Sequence, residues 1–458
     1  MNRLPPETLS HIARYVPHEN ARDASPMIPL THVCRYWRQS IISTPENWTQ
    51  ISSRSKGLVA LSLRRAKAAL LEVNLDMRQA REIPMFSDLI APYIRNIEIL
   101  HIRYIVTTEE LEQTLPNFPQ STPNLRSLSL FPKLRNAEWD WSTSGPFGLL
   151  TPALARLSLT DIPLYPSFLH LRSLTHLSLR HDRFDLHLDM LLDFLEENRS
   201  LEHTILDIRF PEHALRSLRR RLAIGNRLRN LTIASVEAVD GHVLISNIAL
   251  QKGAHLEIYL HDKSAGSDHL LSIISMTHLS NLLSPTLMEY NPDCRSIRLL
   301  GPNGSFSFVA LGLENPFAGF PRSHLTSVRV FRIRRMPESL LPISPVTFPP
   351  SYFPALETLC VECEVAVSHL LSVLFSNLSS SPSLKSLAFL DCDLAKDFME
   401  ELIRFASSRE KTTSARLHRV IVVNSKGKLP DVASIDALGK HVPVVDARIG
   451  KELPADLV

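Results

Sequence analysis

One short pattern of apolar and polar positions returns along most of the chain. Leu125-Arg-Ser-Leu128-Ser-Leu130 recurs as Leu154-Ala-Arg-Leu157-Ser-Leu159 and as Leu174-Thr-His-Leu177-Ser-Leu179. Weaker copies begin at Leu201 and Leu228, and others at Leu325, Leu356, Leu384 and Leu417; Ile94-Arg-Asn-Ile97-Glu-Ile99 is an earlier candidate. The end of each copy alternates apolar with polar, the period of a half-buried strand. Steps of about 20 to 33 residues leave room for a return segment. Helical periodicity falls there, over Asp189–Asn198, Pro211–Ile224, Ser368–Leu378 and Lys396–Ser407. The pattern predicts strand, bend, helix and return, stacked unit on unit.

The pattern falters between about residues 235 and 322, which predicts an insertion or an atypical pair of repeats. Within it, Ser296–Leu300, Pro302-Asn303-Gly304 and Ser305–Ala310 read as a hairpin with an Asn-Gly turn. Residues 131–150 read as a long loop. Asp431–Lys440 with Val442–Ile449 predicts a last helix–strand unit closing the stack. At the other end, Leu58–Ala69 is predicted helical and Leu71, Val73 and Leu75 alternate like a first strand, with no flexible linker before them.

The N-terminal segment has helical spacing instead. Pro5 suits a first helical position, and Leu9, Ile12 and Val16 follow on one face until Pro17. Leu30, Val33, Trp37 and Ile41 form the stripe of a second helix. Thr44 is a candidate cap for a third, with Pro45 at its start and Trp48 pointing back. So short a bundle cannot bury this apolar surface alone, so the remainder needs a partner or the rest of the chain.

The residues LPPETLSHI, VCRYWRQSI and PENW in segment 4–51 resemble an F-box of the fungal, mushroom (basidiomycete-like) type. Asn47 stands where that family usually has Leu, and the loop from Pro17 to Pro29 is longer than usual. Behind it, Leu384-Lys-Ser-Leu387-Ala-Phe389-Leu-Asp-Cys392-Asp-Leu394 resembles a leucine-rich repeat, although most copies lack the Asn or Cys after the strand. The implied fold is α/β: a three-helix F-box over 1–51, then a divergent leucine-rich-repeat-like β/α solenoid, a horseshoe, over 58–458. The resemblance implies docking on a Skp-type adaptor, and through it on cullin, with Leu4, Pro5, Leu9, Ile12, Val33, Cys34, Trp37, Ile41 and Trp48 as adaptor-binding residues. It also implies a substrate-recognition role in a Skp–cullin–F-box ubiquitin ligase. The alternative is a non-catalytic interaction scaffold whose F-box works outside a ligase.

Composition narrows the rest. Lys and Arg number 50 against 47 Asp and Glu, a net charge of +3 that gives no reason to expect nucleic acid. Gly is scarce at 14 and Pro plentiful at 32, which disfavours a Gly-rich phosphate-binding fold. Five scattered cysteines argue for a reducing compartment, cytoplasmic or nuclear, and the start lacks an apolar signal core. No apolar run is long enough for a membrane span.

Candidate chemistry is sparse. Cys360-Val-Glu-Cys363 could be redox or half a zinc site, but alternation predicts Cys360 outward and Cys363 inward, and no second ligand pair has the right spacing. His176, His181, Asp182, Asp185, His187 and Asp189 fall across a strand, a bend and a helix start, a poor metal geometry. Arg216, Arg219, Arg220, Arg221, Arg227 and Arg229 read as a solvated helix face, with an acidic or phosphorylated partner as the functional alternative. No motif of a hydrolase, metalloprotease, P-loop or dinucleotide fold occurs. That alone does not exclude an enzyme, but the F-box and repeats that the resemblance implies need no active site of their own, so no catalytic residue, cofactor or metal is expected. Target binding is expected on the strand face opposite the leucines: Ser127, Ser129, Phe131, Arg156, Ser158, Thr160, His176, Ser178 and Arg180, then Arg329, Phe331, Thr358 and Glu362.

Overall fold

The structure is a computed structural model that describes residues 4–14, 27–52, 55–76, 83–105, 122–132, 152–162, 164, 168, 171–181, 188–208, 222–223, 227–234, 244–245, 247–250, 252–260, 285–291, 296–302, 304–310, 325–336, 353–363, 382–392, 396–412, 416–425 and 429–450. The chain forms two compact units, Met1–Ser217 with Ile224–Leu228, and Leu218–Ala223 with Arg229–Val458.

The N-terminal unit begins with helices α1 (Pro6–Arg14), α2 (Met27–Thr31) and α3 (Arg35–Ser43) and a single 3-10 turn, Pro45–Trp48. This differs from the predicted pattern. The expected second helix is broken, because Cys34 is fully extended and Val33 lies in the break, off the stripe. The Arg38 side chain donates to the carbonyl of Thr31 at 2.9 Å, satisfying a helix end that the break exposes. Thr44 does not cap through its side chain; its hydroxyl donates to the carbonyl of Ser40 at 2.8 Å and accepts from Ser10 at 3.2 Å. The first helix starts at Pro6 rather than Pro5, with the Leu9 N–H bonded to the Pro5 carbonyl.

The turn leads straight into β1 (Gln50–Ser52), α4 (Lys56–Ala66) and β2 (Leu71–Asp76). Then come α5 (Ile83–Ile90), β3 (Ile97–Ile105), β4 (Ser127–Pro132), β5 (Arg156–Thr160), β6 (His176–His181), the helix Leu188–Glu197 and β7 (His203–Ile208). The strands β1 to β7 pair in sequence order and all in parallel. Val73, Leu100, Leu128, Leu157 and Leu177 form one buried row across them, and Leu75, Ile102, Leu130, Leu159, Leu179 and Leu206 a second. Leu125, Leu154, Leu174 and Leu201, which open the copies, are also buried. The helix Leu188–Glu197 seals the stack with Leu191, Leu192, Phe194 and Leu195.

A hydrogen-bond signature repeats with the strands. The carbonyl of Arg126 accepts the N–H groups of both Ala155 and Arg156, that of Ala155 those of Thr175 and His176, and that of Thr175 those of Glu202 and His203. Side chains just before the opening leucine join in: Asn124 donates to Arg95 O at 2.7 Å, Ser173 to Leu154 O at 2.8 Å and Ser200 to Leu174 O at 2.9 Å.

The C-terminal unit contains the short parallel pair β8 (Leu222–Ala223) and β10 (Ile248–Ala249) and a larger sheet. The sheet strands are β9 (Asn230–Ala234), β11 (His255–Leu260), β12 (Leu287–Asn291), β13 (Ser296–Gly301), β14 (Gly304–Ala310), β15 (Val330–Met336), β16 (Thr358–Cys363), β17 (Ser386–Leu390), β18 (Arg419–Asn424) and β19 (Val444–Ile449). Pairing runs β9–β11–β14–β13–β12–β15 and on in order to β19. Among the described strands only β13 is antiparallel to its neighbours, so the hairpin is present and β12, β13 and β14 form a meander spliced into the sheet. β14 lies parallel to β11 and β12 to β15, which keeps the ladder continuous across it. The predicted closing unit is there, as the helix Val432–Gly439 and β19, with Asp431 capping the helix by accepting the Ser434 N–H at 2.7 Å. The helix Lys396–Thr412 begins where predicted, runs on past Ser407, and packs Phe398, Met399, Leu402 and Phe405 inward. Of the helix expected over 211–224, Leu222–Ala223 is instead the strand β8, held by its pairing with Ile248–Ala249, and the remainder lies outside the described residues, as do the helix expected over 368–378 and most of the loop 131–150.

One repeat starts later than its spelling suggests. Phe331 aligns with Leu359 and Leu387, so this copy opens at Val328, not Leu325. Leu325 is the turn residue before it, bonded to the Val328 N–H as Phe353 is to Leu356. An odd slip of register exchanges the two faces of a strand. Phe331 is therefore core, stacked on Phe353 at 5.2 Å between ring centres, and not on the opposite face expected for it.

Candidate functional site

The N-terminal helices sort the nine residues expected to bind an adaptor into three sets. Leu4, Ile12 and Val33 are 40%, 40% and 59% exposed, and Pro5 is exposed beside them. Cys34 and Trp37 are half-buried. Leu9, Ile41 and Trp48 are buried, so they position the surface and do not form it. The Tyr36 hydroxyl donates to the Leu4 carbonyl at 2.7 Å and holds the Leu4-Pro5 segment.

Trp48 is the joint between this domain and the sheet. Its Nε1 donates to Ile41 O at 2.9 Å, and the Arg65 guanidinium from α4 sits 4.2 Å from its ring centre. The face of an indole attracts a cation there. Asn47 is buried too, its amide nitrogen 3.4 Å from Ile41 O, with Oδ1 unpartnered. The apolar contact that Leu would make is thus replaced by a backbone hydrogen bond.

On the N-terminal unit, the face opposite the leucines carries three polar rows. Ser127, Arg156, His176 and His203 align in one; Asn74, His101, Ser129, Ser158 and Ser178 in the next. Arg103 aligns with Phe131 and Thr160 with Arg180, which aligns in turn with Asp207. The nine residues of this unit expected to bind a target therefore share one face. Arg156 and Arg180 are exposed, Ser129 is buried, and the others are half-buried. The rings of His176 and His203 stack at 4.6 Å, and Arg103 reaches over Phe131 at 6.0 Å. Burial, then the neighbouring His203, holds His176 below the ordinary imidazole pKa; burial does the same at His101.

The later four residues do not join them. Arg329 is exposed but precedes β15, Phe331 is core, Thr358 is buried and Glu362 half-buried, all on the other unit. Over β16 to β18 the face expected to be open is closed. Cys360, Ala388, Leu390, Ile421 and Val423 form a second buried cluster, with Val330 against it. Cys360 does point away from the leucine face, but into this cluster and not into solvent. Burial pushes its thiol up to about 11, so it stays protonated and unreactive. The side chain of Cys363 lies outside the description. Cys392 fills the repeat's Cys position, its thiol 3.5 Å from Val361 O of the preceding repeat.

His176 faces the sheet surface, Asp189 opens a helix, and Asp182, Asp185 and His187 lie outside the described residues, as do Arg216, Arg219, Arg220 and Arg221. Among the described residues no three metal-ligating side chains come together, and no helix is long and apolar enough to cross a membrane.

The alternation pattern passed over one cluster. Glu289 on β12 lies between Arg298 on β13 and Arg332 on β15, both at 3.8 Å, and Arg334 reaches it at 2.7 Å. The carboxylate side chain is only 8% exposed, whereas Arg298, Arg332 and Arg334 are 49%, 16% and 42% exposed. Only the pairing order of the meander brings these residues together.

Residues 1–54 match the F-box-like family. No curated protein matches the chain. Among solved structures, the leucine-rich-repeat (LRR) protein LIC12759 of Leptospira interrogans is similar at 12% identity and a TM-score of 0.28, over 86% of this chain and 92% of that one. The chain carries an F-box-like domain at its N-terminus, and each of its two units contains a sheet of repeated strands with helices.

Proposed function

We propose that the protein is a substrate-recognition subunit of a Skp–cullin–F-box ubiquitin ligase. The observation that supports this best is the division of labour in the N-terminal helices. Ile41 and Trp48 tie the F-box-like domain to the first strand of the sheet, while Leu4, Ile12 and Val33 stay exposed for a partner. A joint without a loose tether suits a receptor that works by proximity, since it holds a bound target at a set distance from the catalytic subunits. The reading assigns this chain no chemistry of its own, places it in the cytoplasm or nucleus, and keeps the fungal form of the domain as part of the proposal.

The test is co-expression with a Skp-type adaptor and cullin. The full chain should copurify with both, and Leu4→Ala with Ile12→Ala and Val33→Ala should abolish capture while the protein stays folded. Undiminished capture by that variant would refute the assignment of the surface. Capture of the adaptor without cullin would favour the scaffold reading.

A further inference from the structure

We propose that Arg298, Arg332 and Arg334, gathered around Glu289, anchor an acidic segment of a partner protein in which an anionic side chain stands two residues from an apolar one. This rests on the target-receptor reading above and supplies the chemistry of the target. The argument begins with donors and acceptors. Each guanidinium carries five N–H donors, whereas one carboxylate offers about four acceptor sites. Glu289 therefore cannot satisfy all of the donors, and among the described residues the Nε atoms of Arg332 and Arg334 are buried and unpartnered. Among the described residues of the cluster, three cations face one anion. Glu289 orients the arginines and offsets part of their repulsion; a second anion completes the balance.

The neighbouring row supplies the apolar half. Leu300, Leu287 and Val330 align across β13, β12 and β15, each two residues along its strand from Arg298, Glu289 and Arg332. All three are half-buried. Same-face side chains in a strand stand about 7 Å apart, and so do those of an extended peptide at positions i and i+2. An extended segment lying along these strands would put its apolar side chain on the leucine row and its anion among the arginines. Carboxylate and phosphorylated hydroxyl both suit the guanidinium fork. A nucleic acid would want a continuing basic track. Here the row continues into Cys360, Ala388 and Ile421 on one side and into Ser307 and Glu257 on the other.

The test uses the full chain copurified with a Skp-type adaptor, and fluorescent peptides of Gly and Ser carrying Leu-x-Asp, Leu-x-phosphoserine or Leu-x-Asn, alongside an oligouridylate. One or both anionic peptides should bind, the Asn peptide at least about tenfold more weakly, with affinity falling as salt rises. Preference between Asp and phosphoserine identifies the source of the anion. Arg298→Gln with Arg334→Gln should cost at least about tenfold. If that pair unfolds, adding Glu289→Gln removes the stranded carboxylate and restores the comparison. Equal binding of the Asn peptide, no binding of either anionic peptide at about millimolar concentration, a folded variant that binds as before, or binding of oligouridylate alone would each overturn the proposal. Adaptor capture in the same preparation is independent: its loss defeats the receptor reading, and its retention without peptide binding defeats only this inference.

Discussion

Apart from the buried Ser129, the strands of the N-terminal unit bury one face, whereas β16 to β18 of the C-terminal unit bury both. The leucine rows are alike in the two. What differs is the residue between the leucines: serine at Ser129, Ser158 and Ser178 in the first sheet, Cys360, Ala388 and Ile421 in the second. The leucines make each strand, and the alternating positions decide whether its second face is a surface or another core. A partner-binding face therefore belongs where the alternating residues are polar or charged. That places candidates on the N-terminal sheet and at the arginine cluster around Glu289, and removes β16 to β18.

The sharpest way to break this comparison is to put a charge on equivalent positions of the two sheets. Ile421→Asp, in the second core, should cost about 4 kcal/mol or more and leave the C-terminal unit unfolded, because the charge has no partner there. Ser178→Asp, at the matching place in the first sheet, should stay within about 1 kcal/mol. Hydrogen exchange resolved by unit would read both, and equal damage from the two would erase the distinction. The two phenylalanines assigned to the target face give the next largest contrast. Phe331→Ala should destabilise by about 3–5 kcal/mol, as for a buried aromatic, and Phe131→Ala by far less. Denaturant titration of each variant decides it, and similar midpoints would mean that Phe331 is not packed as described.

Thr204 refines the inward rule. It occupies the position of Leu177 in the next strand, is buried, and leaves its hydroxyl unpartnered. Thr204→Val should raise stability by about 1 kcal/mol, seen as a higher Tm; a lower Tm would show that the hydroxyl has a partner. The smallest expected effect is a pH dependence. His101 and His176 have pKa values held below normal by burial, so the unfolded chain binds more protons as pH falls through the ordinary histidine range. Stability present above about pH 6.5 should decline on acidification toward pH 5.5. His176→Gln should flatten part of that decline in Tm; an unchanged slope would remove His176 from the account.

Much of this architecture could be read from spelling alone. The copies opening at Leu125, Leu154, Leu174, Leu356, Leu384 and Leu417 all became strands, because a period of two with leucine on one side permits little else. The Ser or Asn before the opening leucine was a further legible signal that leucine counting ignores. Asn124, Ser173 and Ser200 bond the preceding repeat, and Ser327 does the same to Pro285 O at 3.0 Å, which would have marked Val328 as the true start. The break at Val33 in the N-terminal helices was not legible, since an apolar residue at helical spacing looks the same inside a helix and beside one.

The sequence by itself determined the inward leucine rows of β4, β5, β6, β16 and β17 and the hairpin at Gly304. Those follow from local periodicity and turn chemistry, which act over a few residues. Tertiary structure alone decided the second core around Cys360, the strand Gln50–Ser52 ahead of the predicted first strand at Leu71, and the meeting of Glu289 with three arginines. Each depends on which strand lies beside which and in what register. Pairing between distant segments sets that, and no local pattern carries it.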